Sequence, residues 1–187
     1  MTKEDSFKLL GKYVGELIKI NLQKEFIAQG HNLSGNLVKS IEYKIQATAS
    51  SAKIDFLMND YGMILNFGVE AERIPYTPNS GKKKSKYIDD LVKYVNKRMG
   101  KSGKEAERIA FAIAKKQKKE GMPTKGSFKY SKNGRRTGAI DATLNESNDE
   151  LTQLINNTFE QYIYFIFTEA FATITNNLKG NTKIILK

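Results

Sequence analysis

The sequence predicts an α+β fold, in which a small antiparallel β-sheet is packed by a long N-terminal helix, two basic helices and a long C-terminal helix. Three observations predict it. Apolar residues recur at the three-and-four spacing of a helical face near both ends, two short runs between them alternate strictly, and Gly- and Pro-containing breaks separate the pieces. With 187 residues and 40% hydrophobic composition the chain has material for one core, so residues 1–187 are read as one domain.

The first helix is placed at about Lys3 to Gln29. Phe7, Leu10, Val14, Leu17, Ile18, Leu22 and Phe26 share one face, and Gly30 supplies the stop. Gly11 and Gly15 lie four apart on a common face. They either let another helix approach closely or are simply tolerated, and the plainer second reading is preferred at a cost of about 1 kcal/mol each. Alternation then begins: Ile41, Tyr43, Ile45 and Ala47 point one way, with Glu42, Lys44 and Gln46 opposite. A polar turn at Thr48 to Ser51 leads to Ile54, Phe56 and Met58, so the two runs are expected to pair as a hairpin. Tyr61 to Phe67 reads as a short helical turn or strand closed by Gly68.

Residues 69–85 read as an exposed loop, interrupted by Pro75 and Pro78 and ending in three lysines. Ser85 then fits an N-cap for a helix from Lys86 to Met99, with Ile88, Leu91, Val92, Val95 and Met99 inward. A second helix from Lys104 to Lys119 turns Ala106, Ile109, Ala110, Ile113 and Phe111 inward, and Gly121 and Pro123 stop it. Residues 122–146 are the segment with least regular pattern; Phe128 and Tyr130 alternate with Lys129 toward a hairpin arm through Asn133-Gly134. Both long loops are expected to be mobile alone and ordered in an assembly. The last helix, about Asn148 to Leu178, carries a stripe from Leu151 through Phe159, Tyr162, Ile163, Ile166, Phe167 and Phe171 to Ile174 and Leu178. Tyr164 and Phe165 widen it beyond what a surface helix of a monomer needs. A short edge strand is expected through Ile184 to Leu186.

The net charge of +11 is concentrated. Residues 82–136 hold nineteen Lys/Arg against five Asp/Glu, +14, whereas 1–81 balance at nine of each and 137–187 come to −3. That concentration is the electrostatic signature of a polyanion or an acidic partner surface. Without cysteine, and with one histidine, thiolate metal sites, a cysteine nucleophile and a two-histidine site are excluded. Glu42-Tyr43-Lys44 matches half of a metal-dependent nuclease site, but no aspartate lies between Asp5 and Asp55 to share the metal, so the pair reads as the solvent face of a strand. Gly81-Lys82-Lys83-Lys84-Ser85 lacks the first glycine and preceding strand of a phosphate loop. His31 is expected in the loop after the first helix. No catalytic residue, cofactor or metal is expected. The start, Met1 to Asp5, is polar and acidic rather than signal-like, and the longest apolar run, Tyr162 to Phe167, is far short of the roughly 20 residues a bilayer requires, so no membrane association is expected.

Two motifs bracket the hairpin: Leu33-Ser34-Gly35-Asn36-Leu37-Val38-Lys39-Ser40-Ile41 before it and Tyr61-Gly62-Met63-Ile64-Leu65-Asn66-Phe67-Gly68 after it. A third, Ala112-Ile113-Ala114-Lys115-Lys116 followed by Gly121-Met122-Pro123-Thr124, ends the second basic helix. In order and spacing the series resembles tailed-phage neck proteins of the head–tail joining and tail-completion group, over roughly residues 5 to 125. The resemblance implies a structural virion protein, made in the host cytoplasm and assembled as a six- or twelve-fold homo-oligomeric ring against a portal or adaptor ring and tail proteins. The 122–146 segment and the long aromatic C-terminal helix exceed the compact members of that group. Candidate interface residues are Tyr61, Leu65, Phe67, Gly68, Tyr76, Phe128 and Tyr130. Candidate contacts to passing DNA or to acidic partners are Lys82, Lys83, Lys84, Lys115, Lys116, Lys118, Lys119, Arg135 and Arg136. The alternative function is non-specific DNA binding through the basic 82–136 segment.

Overall fold

Helix α1, Lys3–Ala28, is the spine on which most other elements lie. Its start is fixed by a reciprocal cap. Thr2 Oγ1 accepts from the Asp5 amide at 3.1 Å, while the Asp5 carboxylate accepts from the Thr2 amide at 2.9 Å. The buried face runs through Gly11, Gly15, Ile18, Leu22 and Phe26, with Glu25 inside as well. A computed structural model of the chain describes residues 2–78 and 85–181.

The first motif turns directly into core. It forms a short helix α2, Asn36–Ser40, whose Leu37 joins Ile41, Leu22, Phe26 and Ala139 in the central hydrophobic cluster. Burying each large aliphatic or aromatic side chain there stabilises the fold by roughly 1.5–3 kcal/mol. Strands β1, Glu42–Ala47, and β2, Ala52–Leu57, then pair antiparallel with Tyr43 opposite Phe56 and Ile45 opposite Ile54. Thr48 closes their turn, its Oγ1 accepting from the Ser51 amide at 3.1 Å. A two-stranded sheet is marginal in water by itself, and α1 backs it.

The backing explains the paired glycines, and it corrects both sequence-based readings of them. A Cβ at Gly11 would stand 2.9 Å from Ile45 Cγ2, and one at Gly15 would stand 2.6 Å from the Tyr43 ring. The glycines are therefore neither idle nor a seat for another helix. They let the hairpin lie against α1.

Helix α3, Tyr61–Phe67, follows the hairpin and ends at Gly68, whose φ of 76° lies in the left-handed region. A side chain there would also meet the Met122 carbonyl at 2.5 Å. The adjoining residues Val69 and Met122 exchange backbone hydrogen bonds of 2.6 and 2.7 Å. Beyond them Ala71–Arg73 forms a turn of 3-10 helix and Ile74 is buried. Residues 69–78 form the expected loop, mostly exposed, which this backbone pairing and the buried Ile74 side chain anchor to the body. Residues 79–84, with Lys82, Lys83 and Lys84, lie outside the described residues.

Helices α4, Lys86–Met99, and α5, Gly103–Glu120, pack on each other. Ser85 caps α4 by accepting from the Ile88 amide at 3.4 Å. Ile88 and Val95 of α4 are buried, as are Ala106, Ala110 and Ala114 of α5, and Tyr87 hydrogen-bonds across to Gln117. Small residues along α5 let the pair close tightly, and this leaves Phe111 and Met99 exposed rather than inward.

The 122–146 segment also departs from expectation. Lys125–Tyr130 is 3-10 helix, and Ala139–Glu146 is helix α6, which buries Ala139, Ala142 and Thr143. There is no hairpin arm at Asn133-Gly134, because the chain folds back onto the end of α1. The Lys132 amide donates to the Ala28 carbonyl at 2.7 Å, and Gln29 Nε2 donates to the Thr137 carbonyl at 3.1 Å. Asn66 of the second motif secures α6: its carbonyl accepts from the Gly138 amide and its Oδ1 from the Ile140 amide.

Helix α7, Asn148–Asn181, starts against α1, where Asn21 Nδ2 donates to Ser147 Oγ and Phe159 meets Phe7 edge to face at 6.5 Å. Farther along it is exposed. The expected strand at Ile184 to Leu186 lies outside the described residues. Among the described residues no helix is long and apolar enough to cross a membrane. The molecule is thus an α+β protein with one two-stranded sheet among its described residues.

Gly15→Ala separates helix propensity from packing. Propensity alone predicts a gain of about 1 kcal/mol. The Tyr43 contact predicts a loss of about 1–3 kcal/mol in urea unfolding, since the added methyl must displace the ring near its Cγ.

Candidate interaction surfaces

Half of each bracketing motif faces inward and half faces out. In α3, Gly62 and Asn66 are buried and Leu65 packs against the central cluster. The opposite side of the same two turns carries Tyr61, Met63, Ile64 and Phe67, at 40%, 43%, 47% and 73% exposure. Leu65 and Gly68, both partly buried interface candidates, also hold α3 in place, because Leu65 packs on the core and Gly68 lies against the Met122 carbonyl. Met63 and Ile64 were missed from the candidate set. Their signal was available in the helical spacing once Tyr61 to Phe67 is fixed as a helix.

The remaining aromatic candidates are accessible to different degrees. Tyr76 is half-buried and leans on exposed Phe111, ring centroids 6.5 Å apart. Phe128 and Tyr130 are exposed, and the Lys129 ammonium stands 5.1 Å from the Tyr130 centroid.

Several of the candidate cations are occupied within the fold. Lys118 Nζ donates to the carbonyls of Glu72 and Ile74 at 3.0 and 3.1 Å, pinning the 3-10 turn to α5. Arg136 Nη1 donates to the Gln29 carbonyl at 2.6 Å, and Arg135 joins Glu25 at 3.1 Å and Glu146 at 2.5 Å. These three candidates serve as structural ties within the fold while remaining partly exposed. Lys116 pairs with Glu120 at 3.0 Å, while Lys115 and Lys119 are exposed on the same helix end.

The Arg135 tie ends on an acidic residue that sequence reading passed over. Glu25 is 7% exposed on the buried face of α1. Burial alone would push its carboxyl up. Hydrogen bonds from Gln29, Arg135 and Asn133, with the Arg135 charge, outweigh that and hold it below the usual carboxylate range. Nothing in the α1 pattern marks it, since apart from Gln29 its partners, Asn133 and Arg135, lie more than a hundred residues away in sequence. His31 sits beside this end of α1, in the expected position. Its Nε2 donates to the Arg136 carbonyl at 3.1 Å, and its ring meets Phe26. Burial, reinforced by the Arg136 charge, pushes its imidazole below the ordinary value, against the pull of that hydrogen bond.

Beside Glu25 lies a cavity of about 290 Å³ lined by Asn21, Lys24, Thr143, Glu146 and Ser147 among others. Two of its lining groups, Glu25 and Glu146, are the carboxylates that Arg135 bridges. Among the described residues no three His, Asp or Glu side chains come together in a group that could hold a metal ion. Glu42 and Lys44 stand exposed on the outer face of β1.

What fold and surface define is an α+β protein that exposes aromatic and aliphatic side chains on α3 and α7 and cations on α5. The chain matches no family model, no curated protein and no solved structure.

Two pH windows follow from the Glu25–His31 corner. The folded imidazole binds its proton less readily than the unfolded one, so its contribution is complete above about 6.5 and is lost as pH falls below that. Glu25, held low when folded, contributes fully above about 4.5 and loses that contribution as pH falls further. Urea midpoints should decline in both windows, and His31→Gln should remove the first decline only. Arg135→Gln should cost about 2 kcal/mol at neutral pH and progressively less once Glu25 protonates.

Proposed function

We propose that this chain is a structural component of a tailed-phage neck, a head–tail connector or tail-completion protein that assembles as a ring with portal-side and tail-side neighbours. One observation carries the proposal. The Tyr61–Gly68 motif, whose spacing resembles that group, is anchored from behind by Leu65, Gly62 and Asn66 and presents Tyr61, Met63, Ile64 and Phe67 outward. Two short turns with that much exposed apolar surface are suited to burial against a neighbour. Function then comes from surfaces, with no residue assigned a catalytic role.

The rival reading, non-specific DNA binding through the basic 82–136 segment, draws on Lys115, Lys116, Lys119, Phe128 and Tyr130, and on Lys82, Lys83 and Lys84, which lie outside the described residues. Its cation set is thinned by the internal use of Lys118, Arg135 and Arg136. An acidic neighbour around a ring meets the remaining charge equally well.

Mass spectrometry of purified particles provides the test. The chain should be present in stoichiometric copies, and Phe67→Ser should deplete it from particles while changing the free chain's stability by no more than about 0.5 kcal/mol. Particles lacking the chain, together with salt-sensitive DNA binding by the free protein, would overturn the proposal in favour of its rival.

A further inference from the structure

The exposed side chains of α7 are not scattered. The most exposed large apolar residues on the helix are Tyr164 at 75%, Phe171 at 66%, Phe167 at 59% and Ile174 at 54%. Their spacing is three, four and three residues, the alternation of a coiled-coil seam. Ile163, half exposed, lies beside the same line. The face that meets α1 is a different one, carrying Phe159 against Phe7.

We propose that this seam is the docking surface for the same seam on a second copy of the chain, so that α7 helices of neighbouring subunits pair along Tyr164, Phe167, Phe171 and Ile174. Four features favour that occupant. The first is the repeat itself, because a partner helix must carry a matching repeat to interdigitate along its length, and a second copy supplies it.

The second is charge. The flanking positions Gln161, Ile163, Thr168, Ala170 and Thr175 are uncharged, and Glu160, exposed on the seam line one turn before Tyr164, is kept away from its own copy when the two helices pair antiparallel. Glu169, the acidic residue within this stretch, falls on the far side of the helix from the seam.

The third is hydrogen bonding. Thr168 Oγ1 donates to the Tyr164 carbonyl at 2.9 Å and Thr175 Oγ1 to the Phe171 carbonyl at 2.8 Å. Covering these flanks therefore strands no hydroxyl donor.

The fourth is area. The four seam residues and Ile163 expose on the order of 600 Å² per copy, before the flanks are counted, against about 800 Å² per partner in a standard interface. The helix is already seated on α1 through Phe159, so little order has to be gained on pairing.

The pairing uses the same patch on both copies and closes as a dimer, so it is a contact separate from those that would continue a ring, and its outcome is read on the free chain and not on particles. Sedimentation of the full chain at tens of micromolar should give a multiple of 21.1 kDa. The double variants Phe167→Lys with Phe171→Lys, and Phe167→Glu with Phe171→Glu, should each sediment as monomers with unchanged far-ultraviolet circular dichroism. A charge buried in the seam should raise the dissociation constant on the order of 100-fold or more. Mixing the two variants should restore association, because Lys then meets Glu whether the helices run parallel or antiparallel.

A monomeric wild-type chain would overturn the pairing, as would variants that still associate alone. Two monomeric variants that fail to associate on mixing would also overturn it, and would place another surface, such as the Phe111 face of α5, opposite α7. None of these results touches the neck reading, which stands or falls on particle composition.

Discussion

The elements gathered around the C-terminal end of α1 depend on its last three turns being enclosed. Leu22 and Phe26 are covered by Leu37 and Ile41 on one flank and by Ala139 of α6 on another, so segments distant in sequence meet on one short stretch of helix. The same stretch carries Glu25 and Gln29, which bind the returning chain through Asn133, Arg135, Arg136 and the Thr137 carbonyl. Apolar burial supplies the driving force. The buried carboxylate supplies direction, because Gln29, Asn133 and Arg135 donate to it together and offset the cost of its burial. Without that enclosure the hairpin, α3 and α6 would each be too short to hold a structure alone.

Enclosure also sorts each element into an inner and an outer half. α3 has an inner side fixed by Leu65 and Asn66 and an outer side with Phe67 projecting. In α7 the face with Phe159 belongs to the body and the face with Tyr164 and Phe171 does not. The basic excess is sorted likewise, with Lys118, Arg135 and Arg136 turned to backbone and carboxylate partners while Lys115 and Lys119 remain at the surface. A charge count along the sequence cannot make that division, since the partners that use up a cation come from other elements.

Legibility followed the range of the interactions. The four long helices and the hairpin register come from periodicity and alternation, which are local, and the Ser85 cap likewise needs only its own turn. The helices within 122–146 were missed, and the anchoring of the 69–78 loop was not visible, because what orders them is remote: the Val69–Met122 pairing, Lys118 on the Glu72 and Ile74 carbonyls, and the Glu25 tie. Gly11 and Gly15 were visible as a pair, but the partner they admit, a hairpin rather than a helix, is a tertiary fact. At the surface, Tyr61 and Phe67 were legible from the motif, whereas Leu65 in the same string belongs to the core. Only the helix phase separates them.

The central claim is that the outer halves of α3 and α7 exist to be covered by neighbouring subunits. Hydrogen exchange compared between the free chain and the chain in purified particles tests it most directly. The account predicts added protection in α3 and α7 upon assembly, with the α1 amides around Leu22 and Phe26 equally slow in both states. Protection confined to the α5 end, with α3 and α7 exchanging as fast in the particle as in the free chain, would contradict it.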